Sequence, residues 1–130
     1  MTVESSGGFG LQLLPVSRAT AEHYTWGHKC DGWHLVSDEQ LSVIEEEMPP
    51  GTSEVLHYHG RAQQFFFVLS GEAVMDVGDR EIRLTAREGL HIPPGIRHQI
   101  RNVSTEPVQF LVISQPPSHG DRVIAGTAND

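Results

Sequence analysis

At 130 residues, with 38% hydrophobic and 20% charged residues, the chain has room for one soluble globular domain with a real core. It contains no run of eighteen apolar residues, which excludes a helical membrane span, and residues 1–9 lack a basic stretch followed by an apolar one, so no export signal is expected. The formal net charge is −8 and the nine lysines and arginines are scattered, which excludes a basic face for nucleic acid. The lone Cys30 cannot form an internal disulfide and is expected to be an inert thiol in a cytoplasmic protein.

In chain order, residues 1–23 are expected to form an N-terminal extension, rich in Gly and Ser at its start, with at most a helical turn near Ser17 to His23. Residues 24–115 read as the domain. Short β-branched, aromatic and aliphatic runs recur there at a spacing of roughly 8–12 residues, the rhythm of an all-β sandwich or barrel. The predicted strands are Gly32 to Val36, Leu41 to Met48, Val55 to His59, Gln64 to Leu69, Ala73 to Val77, Glu81 to Leu84, Leu90 to Ile92, His98 to Val103 and Val108 to Ser114. Pro49-Pro50-Gly51 and Pro93-Pro94-Gly95 are hard stops, and Gly78-Asp79-Arg80 is a hairpin turn. Residues 116–130 read as a tail, packed outside or disordered. Closing into a barrel removes the exposed edges that so many short strands would leave.

Alternation along a strand puts His57 and His59 on one face, with Tyr58 opposite. Two imidazoles one pleat apart can both reach a metal at about 2.0–2.1 Å. Gln64, Phe66 and Val68 share a face of the next strand, and His98 stands where the chain re-enters the barrel after Pro93-Pro94-Gly95. The same pattern also fits two surface histidines on a wet strand, because His-x-His is short.

The residues Gly51, His57, His59, Gln64 and Gly71 fit the spacing G-x5-H-x-H-x4-E-x6-G with Gln at the Glu position; Pro93, Gly95, His98 and Asn102 fit G-x5-P-x-G-x2-H-x3-N with Arg87 at the leading Gly. On these motifs the chain closely resembles the cupin superfamily, over about Leu41 to Ile113. The resemblance implies an all-β, double-stranded β-helix (cupin/jelly-roll) barrel, commonly a homodimer, with a divalent metal ion held by His57, His59, Gln64 and His98. Gln63 is the rival for the fourth position because the family tolerates one residue less in that gap; strand parity and Gly71 favour Gln64. Arg87 is expected to alter a turn and to leave the metal site untouched, and Asn102 to fix a turn by bonding to backbone.

Gln64 changes the chemistry. A neutral amide binds only through its oxygen and leaves the ion its full charge, which favours Lewis-acid polarisation of a substrate oxygen. It also suits Zn²⁺ or Ni²⁺ better than Mn²⁺, with Fe remaining open. The set resembles that of the cupins that linearise unsaturated uronates, and of certain polyketide cyclases. The expected activity is therefore an isomerase, lyase or cyclase acting on a small sugar-acid-like substrate. A three-His non-haem iron dioxygenase and a non-catalytic small-molecule-binding module are the alternatives. Candidate proton-moving residues are His91, on the strand entering the second motif, and Glu45 or Glu47, on the strand before the first. His23, His28, His34 and His119 read as structural or solvent-facing. Phe66 is expected to line the lumen, with Phe65 and Phe67 on the opposite face.

Overall fold

The computed structural model describes residues 13–125, and expectations for residues 1–12 and 126–130 lie outside it. Eleven strands are present among the described residues: β1 (Glu22–Trp26), β2 (Cys30–Ser37), β3 (Ser42–Met48), β4 (His57–His59), β5 (Gln63–Ser70), β6 (Glu72–Val77), β7 (Arg80–Thr85), β8 (Gly89–Ile92), β9 (His98–Arg101), β10 (Val108–Gln115) and β11 (Arg122–Ile124). They form two antiparallel sheets, ordered β1-β2-β3-β10-β5-β8 and β11-β4-β9-β6-β7, which face each other as a double-stranded β-helix. All nine predicted strands are found, with ends shifted by one to two residues. Ser17 to His23 holds one hydrogen-bonded turn, with Ala21 N donating to Ser17 O at 2.8 Å, before β1 begins at Glu22. The segment from 116, read as a tail, instead supplies β11, which pairs with β4.

The turns explain the motif glycines. Gly51, Gly71 and Gly95 all have φ near +80°, a conformation that costs a residue with a Cβ about 1–2 kcal/mol. At Gly71 a Cβ would also press on Pro107 O. Gly78 and Asp79 alone join β6 to β7, with Val77 opposite Arg80, a two-residue hairpin. Arg87 adopts φ 72°, so it reproduces the glycine-like turn of the motif rather than altering it. Asn102 fixes backbone as expected: its Nδ2 donates to Met48 O at 2.9 Å and Glu106 O at 2.8 Å, and its Oδ1 accepts from Ser104 N at 3.0 Å.

The core is made by inward residues of both sheets, among them Met48, Phe66, Val68, Met75, Ile100, Val108 and Phe110. Each such side chain contributes about 1.5–3 kcal/mol by leaving water. The fully buried Cys30 sits here, and burial pushes its thiol up, so it is inert. Phe66 faces inward and Phe65 and Phe67 stack on the outside with ring centroids 6.1 Å apart. In the β1–β2 ladder Tyr24 is directly opposite Gly32, and its ring occupies the space a Cβ at residue 32 would need.

Candidate metal centre

The two sheets converge on three buried imidazoles. His57 and His59 come from β4; His98, on β9, is the register partner of His57; Gln64, on β5, reaches across from the opposing sheet. One ring nitrogen of each histidine lies within 4.8 Å of the others. The remaining nitrogens are engaged: Nδ1 of His57 on Val55 O at 2.6 Å, Nδ1 of His98 on Ile96 O at 2.8 Å, and Nδ1 of His59 on Asp121 Oδ1 at 2.8 Å. Oxygen acceptors at Nδ1 fix the tautomer that leaves Nε2 bare, the form a metal requires.

His98 makes the case for an ion. Its Nδ1 faces Ile96 O and its Nε2 faces Gln64 Oε1 at 3.0 Å, so both ring nitrogens address oxygens. A neutral ring has only one N–H. Protonation would supply the second, yet burial pulls the His98 pKa down, and burial holds His57 at about 4. A cation on the Nε2 side removes the conflict, because it accepts lone pairs from both atoms. Two ligand atoms of one ion stand about 3–3.5 Å apart. Gln64 Nε2 donates to the buried Ser114 Oγ at 3.0 Å, which turns the amide oxygen towards the histidines. The donor set therefore fits a divalent metal.

Gln63, the rival ligand, faces outward: its Nε2 donates to Gln115 Oε1 at 2.8 Å, and its Oε1 meets His91 Nε2 at 2.9 Å. That bond also corrects the reading of His91, which is exposed on the outer face opposite Phe65 and does not reach the lumen. Glu45 and Glu47 are corrected likewise. Both point away from the cavity and bind Arg18, at 2.5 Å and 2.9 Å, and Arg18 in turn lies 4.0 Å above the Trp33 ring.

Four carboxyls line the cavity: Asp38 and Glu39 are exposed, while Glu46 and Glu54 lie deeper. The period-two neighbours Ile44 and Met48 were the signal for Glu46: two apolar residues on its face of β3 mark that face as inward. Burial raises Glu46 to about 7 even though Tyr24 Oη donates to its Oε2 at 2.6 Å, a bond that lowers it. Burial, with the charge of Glu46, raises Glu54 to about 8. Glu54 Oε1 is shielded from solvent with no hydrogen-bond partner and lies 4.0 Å from His57 Nδ1. Sequence offered no pattern for Glu54, which lies in the irregular stretch before β4, nor for Asp121. Burial raises Asp121, but the amides of Ala62 and Arg61 and the His59 ring outweigh it and leave the carboxyl below its ordinary value. The cavity has a volume of about 1010 Å³, room for a small organic molecule. His34 and His119 also line it, so these two histidines belong to its wall.

The family model described as Cupin domain matches residues 44–114, more than half of the chain. This chain belongs to the cupin family. An uncharacterized protein of Methanocaldococcus jannaschii is 30% identical over 84 residues, 64% of this chain and 67% of that protein. The tetracenomycin polyketide synthase protein TcmJ of Streptomyces glaucescens is 31% identical over 70 residues, 54% of this chain and 47% of its own length, so the cupin match spans about half of that protein. Among solved structures, the polyketide cyclase RemF from Streptomyces resistomycificus superimposes with a TM-score of 0.76 at 18% identity, covering 92% of this chain and 89% of that one, a likeness of fold. Among the described residues no helix is long and apolar enough to cross a membrane.

Proposed function

We propose that this cupin is a metal-dependent enzyme of the isomerase or lyase type, acting on a small sugar-acid-like substrate. The observation that carries the reading is the cluster of three buried imidazoles, with one ring nitrogen of each within 4.8 Å of the others and every Nδ1 already on an oxygen acceptor. When bound, a divalent ion such as Zn²⁺ or Ni²⁺ supplies a Lewis acid for a carbonyl or enol oxygen.

The chain's own residues complete the chemistry. Arg61 and Arg122 line the same cavity and form no ion pair among the described residues, which suits the carboxylate of a sugar acid. Glu46, held near neutrality, takes a proton at a carboxylate oxygen when ionised and returns it when neutral, while Tyr24 Oη steadies the ionised form. Glu54, raised by burial and by the charge of Glu46, is a second proton-holding carboxyl in the same cavity wall.

Elemental analysis of the purified protein tests the centre. Near-stoichiometric metal is expected in the native chain, weakened by Gln64→Ala and abolished by His57→Ala. Proton NMR of metal-loaded protein with unsaturated uronates tests the reaction: ring opening is expected, slowed about 10²–10⁴-fold by Glu46→Gln with metal content unchanged. No acceleration by the native protein would remove that substrate class, and oxygen uptake by an iron-loaded protein would favour the dioxygenase. We further propose a cytoplasmic homodimer packed through the outer face that carries Phe65 and Phe67, both partly exposed; sedimentation of Phe65→Glu as a monomer would bear this out.

A further inference from the structure

The C-terminal segment is built into the metal centre in a way that neither motif anticipates. β11 is the edge partner of β4, with Arg122 opposite His59 and Ile124 opposite His57, so it braces the strand that carries two of the three histidines. Asp121 stands at its start and uses both carboxylate oxygens: Oδ1 accepts from His59 Nδ1 at 2.8 Å, and Oδ2 accepts from the amides of Arg61 at 2.8 Å and Ala62 at 2.9 Å. The same residues are tied through the main chain, Gly60 N to Asp121 O at 3.3 Å and Ala125 N to Leu56 O at 2.9 Å. Residues 116–120 and Arg122 also form one wall of the cavity.

Little apolar burial holds this segment down. Arg122, Val123 and Ile124 are all exposed, and Ala125 alone is buried at its end. A strand fixed mainly by hydrogen bonds at a sheet edge belongs to the least stable part of a fold. Its docking is therefore sensitive to anything that strengthens its contact with β4.

We propose that residues 116–125 act as a strap whose docking and whose metal binding are coupled through the Asp121–His59 bond, with Asp121 the positioning residue that keeps His59 in its metal-binding tautomer. The inference rests on the reading of His57, His59 and His98 as a metal site. Coupling of this kind is reciprocal: the factor by which a docked strap tightens the ion is the factor by which the ion favours docking. Loss of a carboxylate that orients a histidine ligand costs about 10–100-fold in metal affinity.

Three measurements on the full chain test the proposal, with Zn²⁺ as the probe. In the native protein, amide hydrogen exchange at residues 122–125 is expected to slow about tenfold or more on adding Zn²⁺ after EDTA treatment, while the β6–β7 hairpin is unchanged. In Asp121→Asn, competition with a chromophoric chelator is expected to show Zn²⁺ bound about 10–100-fold more weakly. Nitrogen NMR of the metal-free variant is expected to show His59 losing its bias towards the Nδ1–H tautomer while His57, oriented by Val55 O, keeps it. Equal Zn²⁺ affinity in Asp121→Asn, or strap exchange indifferent to Zn²⁺ in the native chain, overturns the coupling while the metal site stands. A native chain that binds no Zn²⁺ overturns both. The native exchange measurement holds even if the variant fails to fold.

Discussion

Tyr24 lies in the space that a side chain on Gly32 would fill, and this absence lets its hydroxyl reach Glu46 at 2.6 Å. A Cβ at residue 32 would overlap Cζ, Oη and Cε1 of the ring, so Gly32→Ala must push the phenol away. The expected cost is about 1–3 kcal/mol, typical of overpacking. Urea denaturation reads it directly; a variant that unfolds at the native midpoint would contradict the close approach.

The raised carboxyl of Glu46 makes stability depend on pH with a definite sign. In the unfolded chain it releases its proton near 4.5, and in the folded chain near 7. Between these values the folded state binds more protons than the unfolded one, so this contribution is whole below the lower value and is lost as pH rises through the upper. His57, held at about 4 when folded against 6.5 when free, works in the opposite direction and gains stability as pH rises. The two partly cancel in the native protein. The difference between Glu46→Gln and native, measured in EDTA, reads what Glu46 contributes directly and through the charge that raises Glu54: it should move in the variant's favour by about 3 kcal/mol or more between about pH 4 and about pH 8. A flat difference would mean that Glu46 ionises normally.

Gln64→Glu exchanges a neutral donor for an anionic one at an unchanged position. Ser114 Oγ, now 3.0 Å from the amide nitrogen, can turn its own proton to a carboxylate oxygen. Fold and metal content should persist, and preference should move towards hard ions, with Mn²⁺ affinity up at least about tenfold. Calorimetric titrations with Mn²⁺ and Zn²⁺ check this; an unaltered ratio would take residue 64 out of the coordination.

Arg87 holds φ 72° while its amide donates to Val68 O at 2.8 Å. Arg87→Gly relieves about 1–2 kcal/mol of backbone strain and costs about 0.5–1 kcal/mol in unfolded-state entropy. Thermal unfolding should therefore show a gain of about 0.5 kcal/mol, with Zn²⁺ binding unaltered because the turn is remote from the lumen ligands. A loss of stability would mean that the Arg87 side chain makes contacts worth more than the strain.

The strands were legible because Pro-Gly stops and two-residue periodicity are local signals, and the ligands because His57, His59, Gln64 and His98 sit at fixed spacings around those stops. The error at Glu45 and Glu47 was one of phase. Three consecutive glutamates invite attention to the ends of the run, yet alternation admits only the middle one, and Ile44 and Met48 mark its face. His91 failed for the same reason: it sits opposite Phe65, an outward residue, as Ile92 sits opposite the inward Gln64. β11 and Asp121 could not be read at all. Three exposed residues with no alternation of burial carry no periodic signal, and the bond to His59 spans 62 positions of chain.

Two of the three imidazoles are aimed by peptide carbonyls two positions upstream, Val55 O and Ile96 O, and a carbonyl is common to every amino acid. Substitution at those two sites leaves the orienting group in place. Only His59 takes its aim from a replaceable side chain. Among the groups that aim the rings, evolutionary drift or a protein engineer thus has one dial: exchanging residue 121 is expected to tune the ion's grip without replacing a ligand or disturbing the barrel.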